Sequence, residues 1–449
     1  MNIYQKFWRL LDRKQKNVSV RLIFLTVAGA IFEAAGVGLI IPFISVVTAE
    51  DIVLPMFILN AFPPLNSLSQ KEIIVSMVVF FVLFYLVKSI FLMFLAAVQA
   101  GYYYGLQQSI STRLFGSYLR RPYTFHLQHN SAKLLSNTIT ESMQFAVGFT
   151  SAALLVINDV LIIVSILAVL LFVEPVGAIM AVLVFGSSTL ILFKISKSRA
   201  ALWGETRQDK ERLRIKSAQQ GFGGVKDIKL YGRENIFEGW YAKETDSSLE
   251  AGRKQTILQN IPRIFLEFIA VCSLCALVLF VTLSADAANM IAIIGLFAAA
   301  AFKLLPTVAR LVQSSQAMVF TRPVVNFIYS ELVVNEHFYS SNKLCLSSES
   351  DLSFVKNINV SDLSFNYEGV DLPALDAINL DIEAGSMVGF IGASGAGKST
   401  LIDCLLGLIQ PLSGELSIDG KLITSDNVCS WQKKLGYVSQ VIYLLDGSL

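Results

Sequence analysis

The sequence predicts an all-α six-helix transmembrane domain followed by the N-terminal part of an α/β P-loop domain. Two observations carry the first half. Of 449 residues, 54% are hydrophobic and only 16% are charged, against about 25% charged in ordinary soluble domains. Six stretches, about 22–47, 73–103, 145–173, 176–195, 261–283 and 289–320, each hold roughly the 20 apolar residues that a bilayer crossing needs. The third observation is GASGAGKST, Gly392 to Thr400, which fits G-x-x-x-x-G-K-[ST].

Ahead of the first span, residues 1–21 carry Lys6, Arg9, Arg13, Lys14, Lys16 and Arg21 against Asp12 alone. With Phe7, Trp8, Leu10 and Leu11 among them, they predict a short interfacial helix. A signal peptide would have an apolar core of about 7–15 residues. The stretch 22–47 is far longer, so a spanning helix is expected.

Lys and Arg set the orientation. The loop 48–72 holds only Lys71, and the turns at 174–175 and 284–288 hold neither residue. Segment 104–144 holds Arg113, Arg120, Arg121 and Lys133, and segment 194–259 is dense in both types. Basic segments stay inside. The N-terminus and the P-loop domain are therefore expected in the cytoplasm, on an integral, multi-pass plasma-membrane protein. The two cytoplasmic segments read as helical extensions of the spans. Arg121-Pro122 breaks the first and Gly221 to Gly224 the second, so short docking helices are expected there.

Some features exclude roles. A net charge of +2 gives no reason to expect nucleic acid. Cys272 and Cys275 form C-x-x-C inside an apolar span, where thiols pack. Cys345, Cys404 and Cys429 fall in cytosolic parts, where no disulfide framework is expected. His126 and His129 alone are too few for a metal site.

Residues 331–354 are polar and Ser-rich and read as a linker, so the domains run 1–21, 22–330 and 355–449 around it. VKNINVSDLSFNYEG alternates like a strand. MVGFI, 387–391, reads as a buried strand before the glycine loop, and a helix is expected over 399–409. GELSIDG reads as strand and turn, and LGYVSQ as a further strand. In the loop itself, small residues let successive N–H groups point at phosphate oxygens. Lys398 reaches the β- and γ-phosphates and the Ser399 hydroxyl sits on Mg2+. A nucleoside triphosphate site results, in a compartment that holds ATP.

Six spans with both ends inside, a linker and a phosphate loop resemble an ABC exporter half-transporter over the whole chain. The resemblance implies ATP binding by Tyr367 as the adenine-stacking aromatic, by Gly392, Ser394, Gly395, Ala396, Gly397, Lys398, Ser399 and Thr400 as Walker A, and by Gln440 as the Q-loop residue. Ser399 and Gln440 would hold Mg2+. GGVKDIKLYGREN resembles the second cytoplasmic loop, whose coupling helix enters the partner's nucleotide domain. FEAAGVGLIIPFI, IPRIFLEFI and FKLLPTVARL are similar to stretches of bacterial lipid-linked oligosaccharide flippases. A homodimer with a second half-transporter, and a membrane lipid or lipid-linked saccharide as cargo, are then implied. The LSGGQ signature, Walker B carboxylates and switch histidine of the family are absent up to Leu449. The resemblance therefore predicts a C-terminally truncated chain with no identifiable catalytic base.

Ionisable residues inside spans default to functional candidates. Lys88 and Lys303 lie about 22 and 21 Å along inward-running spans at 1.5 Å per residue. Arg310 is seven residues past Lys303, and Arg263 is near the inner end of the fifth span. These four cations are the candidates for holding an anionic headgroup. Snorkelling to the interface, and for Arg263 a pair with Glu267, are the plainer alternatives. Glu33 and Asp159 are expected to bond within the bundle. Competing functions are another glycolipid or phospholipid exporter, a peptide exporter, a non-hydrolysing membrane subunit, and a membrane-tethered P-loop kinase, which would need an acceptor lid.

Overall fold

A computed structural model describes residues 1–39, 70–173, 175–283, 290–334, 352–367, 369–370 and 372–439. The chain divides into two compact units, Met1–Phe115 with Ala132–Val333, and Gly116–Ser131 with Val334–Leu449.

The first unit is helical. Helix α1, Ile3–Leu10, is separated from α2, Arg13–Gly38, by an extended Leu11-Asp12. The basic segment 1–21 is thus not one helix. Asp12 interrupts it, its N–H bonded at 2.9 Å to the Gln15 side chain, and the first long helix starts at Arg13 rather than near residue 22. The amphipathic α1 buries Leu10 and sets Phe7 against Phe145 and Phe149 at 5.5 and 5.6 Å. Lys6 donates to Asn326 at 2.7 Å.

The remaining helices of the unit range from one or two turns to 50 residues. They are α3, Gln70–Leu119; α5, Ser131–Ser136, continued by two π-helical stretches to Thr150; and α6, Ser151–Val173. Then come α7, Pro175–Gly223; α8, Val225–Tyr231; α9, Glu234–Leu283; and α10, Met290–Tyr329. Between α3 and α5 lies α4, Tyr123–Gln128, which belongs to the second unit. The expected breaks are real. Pro122 lacks the N–H that would continue α3 and caps α4, and Gly224 separates α7 from α8.

Among the described residues, four helical stretches are long and apolar enough to cross a membrane: Arg13–Gly38, Ile74–Leu119, Ser131–Phe172 and Phe302–Val334. Many of their large apolar residues face outward, Phe80, Leu83, Val87 and Ile90 among them, as a lipid-facing surface requires. Ala30, Val37, Ile162, Ile166, Leu170 and Leu304 form a core where α2, α6 and α10 meet. Gly204 lets α7 approach α10 backbone to backbone; a Cβ there would collide with the Phe320 carbonyl.

Among the described residues, the second unit holds a four-stranded antiparallel sheet, β1 Asn357–Phe365, β2 Leu375–Glu383, β3 Ser413–Ile418 and β4 Lys421–Leu422. The order is β2-β1-β3-β4. One face of the sheet and helix α11, Lys398–Leu405, enclose Val360, Leu363, Phe365, Leu375, Leu401, Cys404 and Leu416. A short helix α12, Val428–Gln432, is pinned by Trp431 Nε1 donating to the Leu405 carbonyl at 2.8 Å.

Two expected strands are absent. Residues 387–391 and 435–439 are not in ladders, and Met387, Ile391 and Val438 stand almost fully exposed. Both runs are apolar enough for a sheet interior. A strand also needs a neighbour to take its N–H and C=O groups, and the four described strands pair only with one another. Cys429 is disulfide-bonded, contrary to expectation.

Candidate functional site: the phosphate loop and the buried charges

The loop 392–397 leads directly into α11. Gly395 and Gly397 both have φ of 83°, the left-handed region that L side chains avoid. At Gly397 space compounds the requirement, since a Cβ would run into the Ala374 carbonyl. Residues 392–396 are exposed, as a loop that receives a ligand must be. Lys398 opens α11 and folds back, donating to the carbonyls of Gly392 at 2.9 Å and Ala393 at 2.7 Å. The ammonium is therefore held over the loop. Ser399 is exposed beside it, and Thr400 is buried with its Oγ1 3.1 Å from the Tyr367 hydroxyl. Phe365 meets Tyr367 edge-on at 5.0 Å, which fixes the Tyr367 ring next to the start of α11. Curled backbone, a helix N-terminus and a poised cation fit a polyphosphate. Gln440 lies outside the described residues.

Helix α4 packs on this same unit. Pro122, Tyr123 and Arg121 line a cleft of about 620 Å3 with Gly407, Leu408 and Gln432. Burial, and then the Asp403 carboxylate, lift the Tyr123 hydroxyl above its ordinary value. Burial pushes the neighbouring Cys404 thiol up to about 11, so it is inert as a nucleophile.

In the first unit, three of the four candidate cations are engaged by carboxylates. Lys88 from α3 and Lys303 from α10 both bond Glu33 of α2, at 2.7 and 2.8 Å. Lys88 is sunk, its side chain 8% exposed, and lies 4.8 Å from the Tyr85 ring. Lys303 is 35% exposed. The Tyr85 hydroxyl donates to the Gly36 carbonyl at 3.1 Å, and a Cβ on Gly36 would crowd the Lys88 ammonium. Arg310 Nε donates to both oxygens of Asp159, at 2.9 and 3.0 Å. Asp159 is fully buried, whereas Arg310 is 44% exposed. Arg263 is exposed and makes no ion pair among the described residues, with Glu267 or otherwise. Sequence reasoning did not foresee that Glu33 and Asp159 would take these particular cations.

A third buried carboxylate was missed altogether. Glu141, in the first π-helical stretch, accepts from Arg207 at 3.2 Å and from Gln208 at 3.3 Å. Its signal would have been a lone acid in the segment 104–144, whose other charges are Arg113, Arg120, Arg121 and Lys133.

The family described as ABC transporter transmembrane region matches residues 18–302, well over half of the chain, and the family described as ABC transporter matches residues 375–448. The ATP-dependent lipid A-core flippase of Pasteurella multocida (strain Pm70) is 24% identical over 355 residues, covering 75% of this chain and 57% of that protein. Its counterpart in Escherichia coli (strain K12) is 23% identical over 343 residues, with the same two coverages. ABC transporter B family member 29, chloroplastic, of Arabidopsis thaliana is 42% identical over 92 residues, 20% of this chain and 14% of that one. The chain thus spans about 57% of the length of the two flippases it matches. A solved structure titled as a bacterial Atm1-family ABC exporter with ATP bound superposes with a TM-score of 0.68 at 15% identity, over 95% of this chain and 71% of that one. With a membrane region matched over most of the helical unit and an ATP-binding domain matched around the phosphate loop, this chain belongs to the ABC transporters.

Proposed function

We propose that the chain is the membrane domain and proximal nucleotide-binding part of an ATP-driven half-transporter that flips or exports an anionic lipid-linked oligosaccharide across the bacterial inner membrane. The observation that carries the cargo class is the Glu33 cluster. Two ammonium groups share one carboxylate, so one positive charge is left over inside the spans, and Lys303 is the more exposed of the two partners. Excess charge at that depth is costly, and an anionic headgroup supplies its complement. Arg263, exposed on α9, is a further cation that a negatively charged headgroup could meet. Relatives that carry the name lipid A-core flippase support a lipid cargo.

In this reading the chain crosses the membrane six times, with the N-terminus and residues 355–449 in the cytoplasm, and acts as a homodimer. Tyr367 stacks on adenine. Gly392, Ser394, Gly395, Ala396, Gly397 and Thr400 cradle the phosphates, and Lys398 transfers its bonds from the loop carbonyls to phosphate oxygens, which are stronger acceptors. Ser399 and Gln440 would hold Mg2+, which neutralises charge on the β- and γ-oxygens. Helices α4 and α8 carry closure of the paired nucleotide domains to the spans. The change is a two-state equilibrium that ATP biases through differential binding.

The test is ATP-dependent translocation of a fluorescent anionic glycolipid in vesicles containing the full-length protein. Lys398→Ala should abolish both ATP binding and translocation. Translocation that continues in Lys398→Ala, or without ATP, would sink the transporter reading.

A further inference from the structure

About 22 Å along α2 from the Glu33 cluster, counting 1.5 Å per residue from Val18 to Glu33, the first unit has a second feature. A groove of about 850 Å3 opens between the start of α2 and residues 98–106 of α3. Val98, Gly101, Tyr102 and Gly105 line it. Their spacing of i, i+3, i+4 and i+7 puts them on one face of α3, and Val18 lines it from α2. Gly101 and Gly105 have open space where a Cβ would stand, so the α3 backbone is bare along the groove. Ser19 and Tyr102 hydrogen-bond at 2.6 Å and tie the two helices together beside it.

The mouth of the groove is charged. Arg13 and Lys14 line it. Both are exposed and make no ion pair among the described residues. Asp12, also in the lining, has its carboxylate 3.5 Å from Arg113. The N-terminal end of the 26-residue α2 adds its own positive potential. The groove is thus apolar over roughly 12 Å, eight residues at 1.5 Å each, and cationic at one end. One leaflet of hydrocarbon is about 15 Å deep.

We infer that this groove binds an anionic phospholipid of the adjoining leaflet as a resident ligand, separate from the cargo. The phosphate sits between Arg13 and Lys14, and one acyl chain lies along Val98, Gly101 and Gly105 against Val18. A soluble anion has no use for the apolar wall, and a neutral lipid none for the paired cations. The inference needs only that α2 and α3 cross a membrane, not that the cargo is a lipid. A lipid held here braces α1 and α2 against α3.

The experiment is native mass spectrometry of the delipidated full-length protein, titrated with phosphatidylglycerol and, separately, phosphatidylcholine. The wild type should take up phosphatidylglycerol in preference. Arg13→Ala with Lys14→Ala should weaken phosphatidylglycerol binding about thirtyfold, since each basic residue near an anionic surface contributes about 1 kcal/mol, while leaving phosphatidylcholine binding as it was. Gly105→Leu, for which the structure has room, should fill the groove and reduce uptake of both lipids with helix content unchanged. Equal phosphatidylglycerol uptake by the wild type and both variants would overturn the proposal. So would displacement of the lipid by inorganic phosphate at equal strength in the wild type and Gly105→Leu, which would make this an anion site without a lipid groove.

Discussion

Two charge sites inside the helical unit look alike in sequence and differ in design. Arg310 and Asp159 form a closed pair, one cation to one carboxylate, in which Nε is shared between both oxygens of a fully buried acid and Nη2 also donates to Oδ1. Lys88 and Lys303 share Glu33, so the second site keeps a positive charge unbalanced. The first arrangement suits a fixed brace between α6 and α10. The second joins α2, α3 and α10, and can release one partner without leaving its carboxylate alone. The lesson is that the count of partners, more than the presence of a charge in a span, separates a structural pair from a candidate recognition site.

The largest effect that would sharpen this contrast is expected at Glu33. Glu33→Gln leaves two ammonium groups facing each other, one of them buried, and should cost about 3 kcal/mol. It would be read as a lower unfolding midpoint in detergent. Adding Lys88→Met should recover part of the loss, because Lys303 alone can turn to its exposed side. No recovery would show that the shared geometry has been misread.

The closed pair should respond asymmetrically. Arg310→Met strands a fully buried carboxylate and should cost about 3 kcal/mol. Asp159→Asn leaves a half-exposed guanidinium that can reach water, and should cost about 1 kcal/mol. Equal costs from thermal melts would break the account of Arg310 as the accessible member.

A carboxylate outside the spans gives the smallest effect and a control. Asp419 accepts from the N–H groups of Val355, Lys356 and Asn357 at 2.7, 2.7 and 3.0 Å. Burial pushes its pKa up, but these donors outweigh it and hold the carboxyl below its ordinary value. A lowered pKa contributes stability that is present above the unfolded value of about 3.9 and is lost as pH falls through the folded value. Acid titration below about pH 4 should therefore loosen the start of β1, and Asp419→Asn should remove that dependence. An unchanged acid profile in the variant would assign the loss to other carboxylates.

How much of this was legible follows the distance between partners. The phosphate loop is local: nine consecutive residues specify it, and the structure curls them as their glycines require. The breaks at Pro122 and Gly224 are equally local. Counting along the spans placed Lys88 and Lys303 at similar depth, but the carboxylate between them is 55 and 270 residues away, and no spacing rule reaches that far. Strand β2 was missed because LDAINLDIE buries only Leu375 fully and reads as polar. The run 387–391 reads as a strand by its apolarity and its place before the glycine loop, although a ladder partner decides that outcome. Asp12 split the basic N-terminal segment through its local cap, a signal present in the sequence but masked by the cations around it.

The most direct test of the central claim compares a phosphorylated glycolipid with its dephosphorylated counterpart, binding to the full-length protein and to Lys303→Ala. That substitution leaves Glu33 and Lys88 as a neutral one-to-one pair, like Arg310 and Asp159. The wild type should prefer the phosphorylated lipid, Lys303→Ala should lose about tenfold of that preference, the order of one charge-assisted contact, and Lys303→Arg should keep it. The same preference in all three proteins would contradict the claim that the unbalanced charge at Glu33 recognises the cargo.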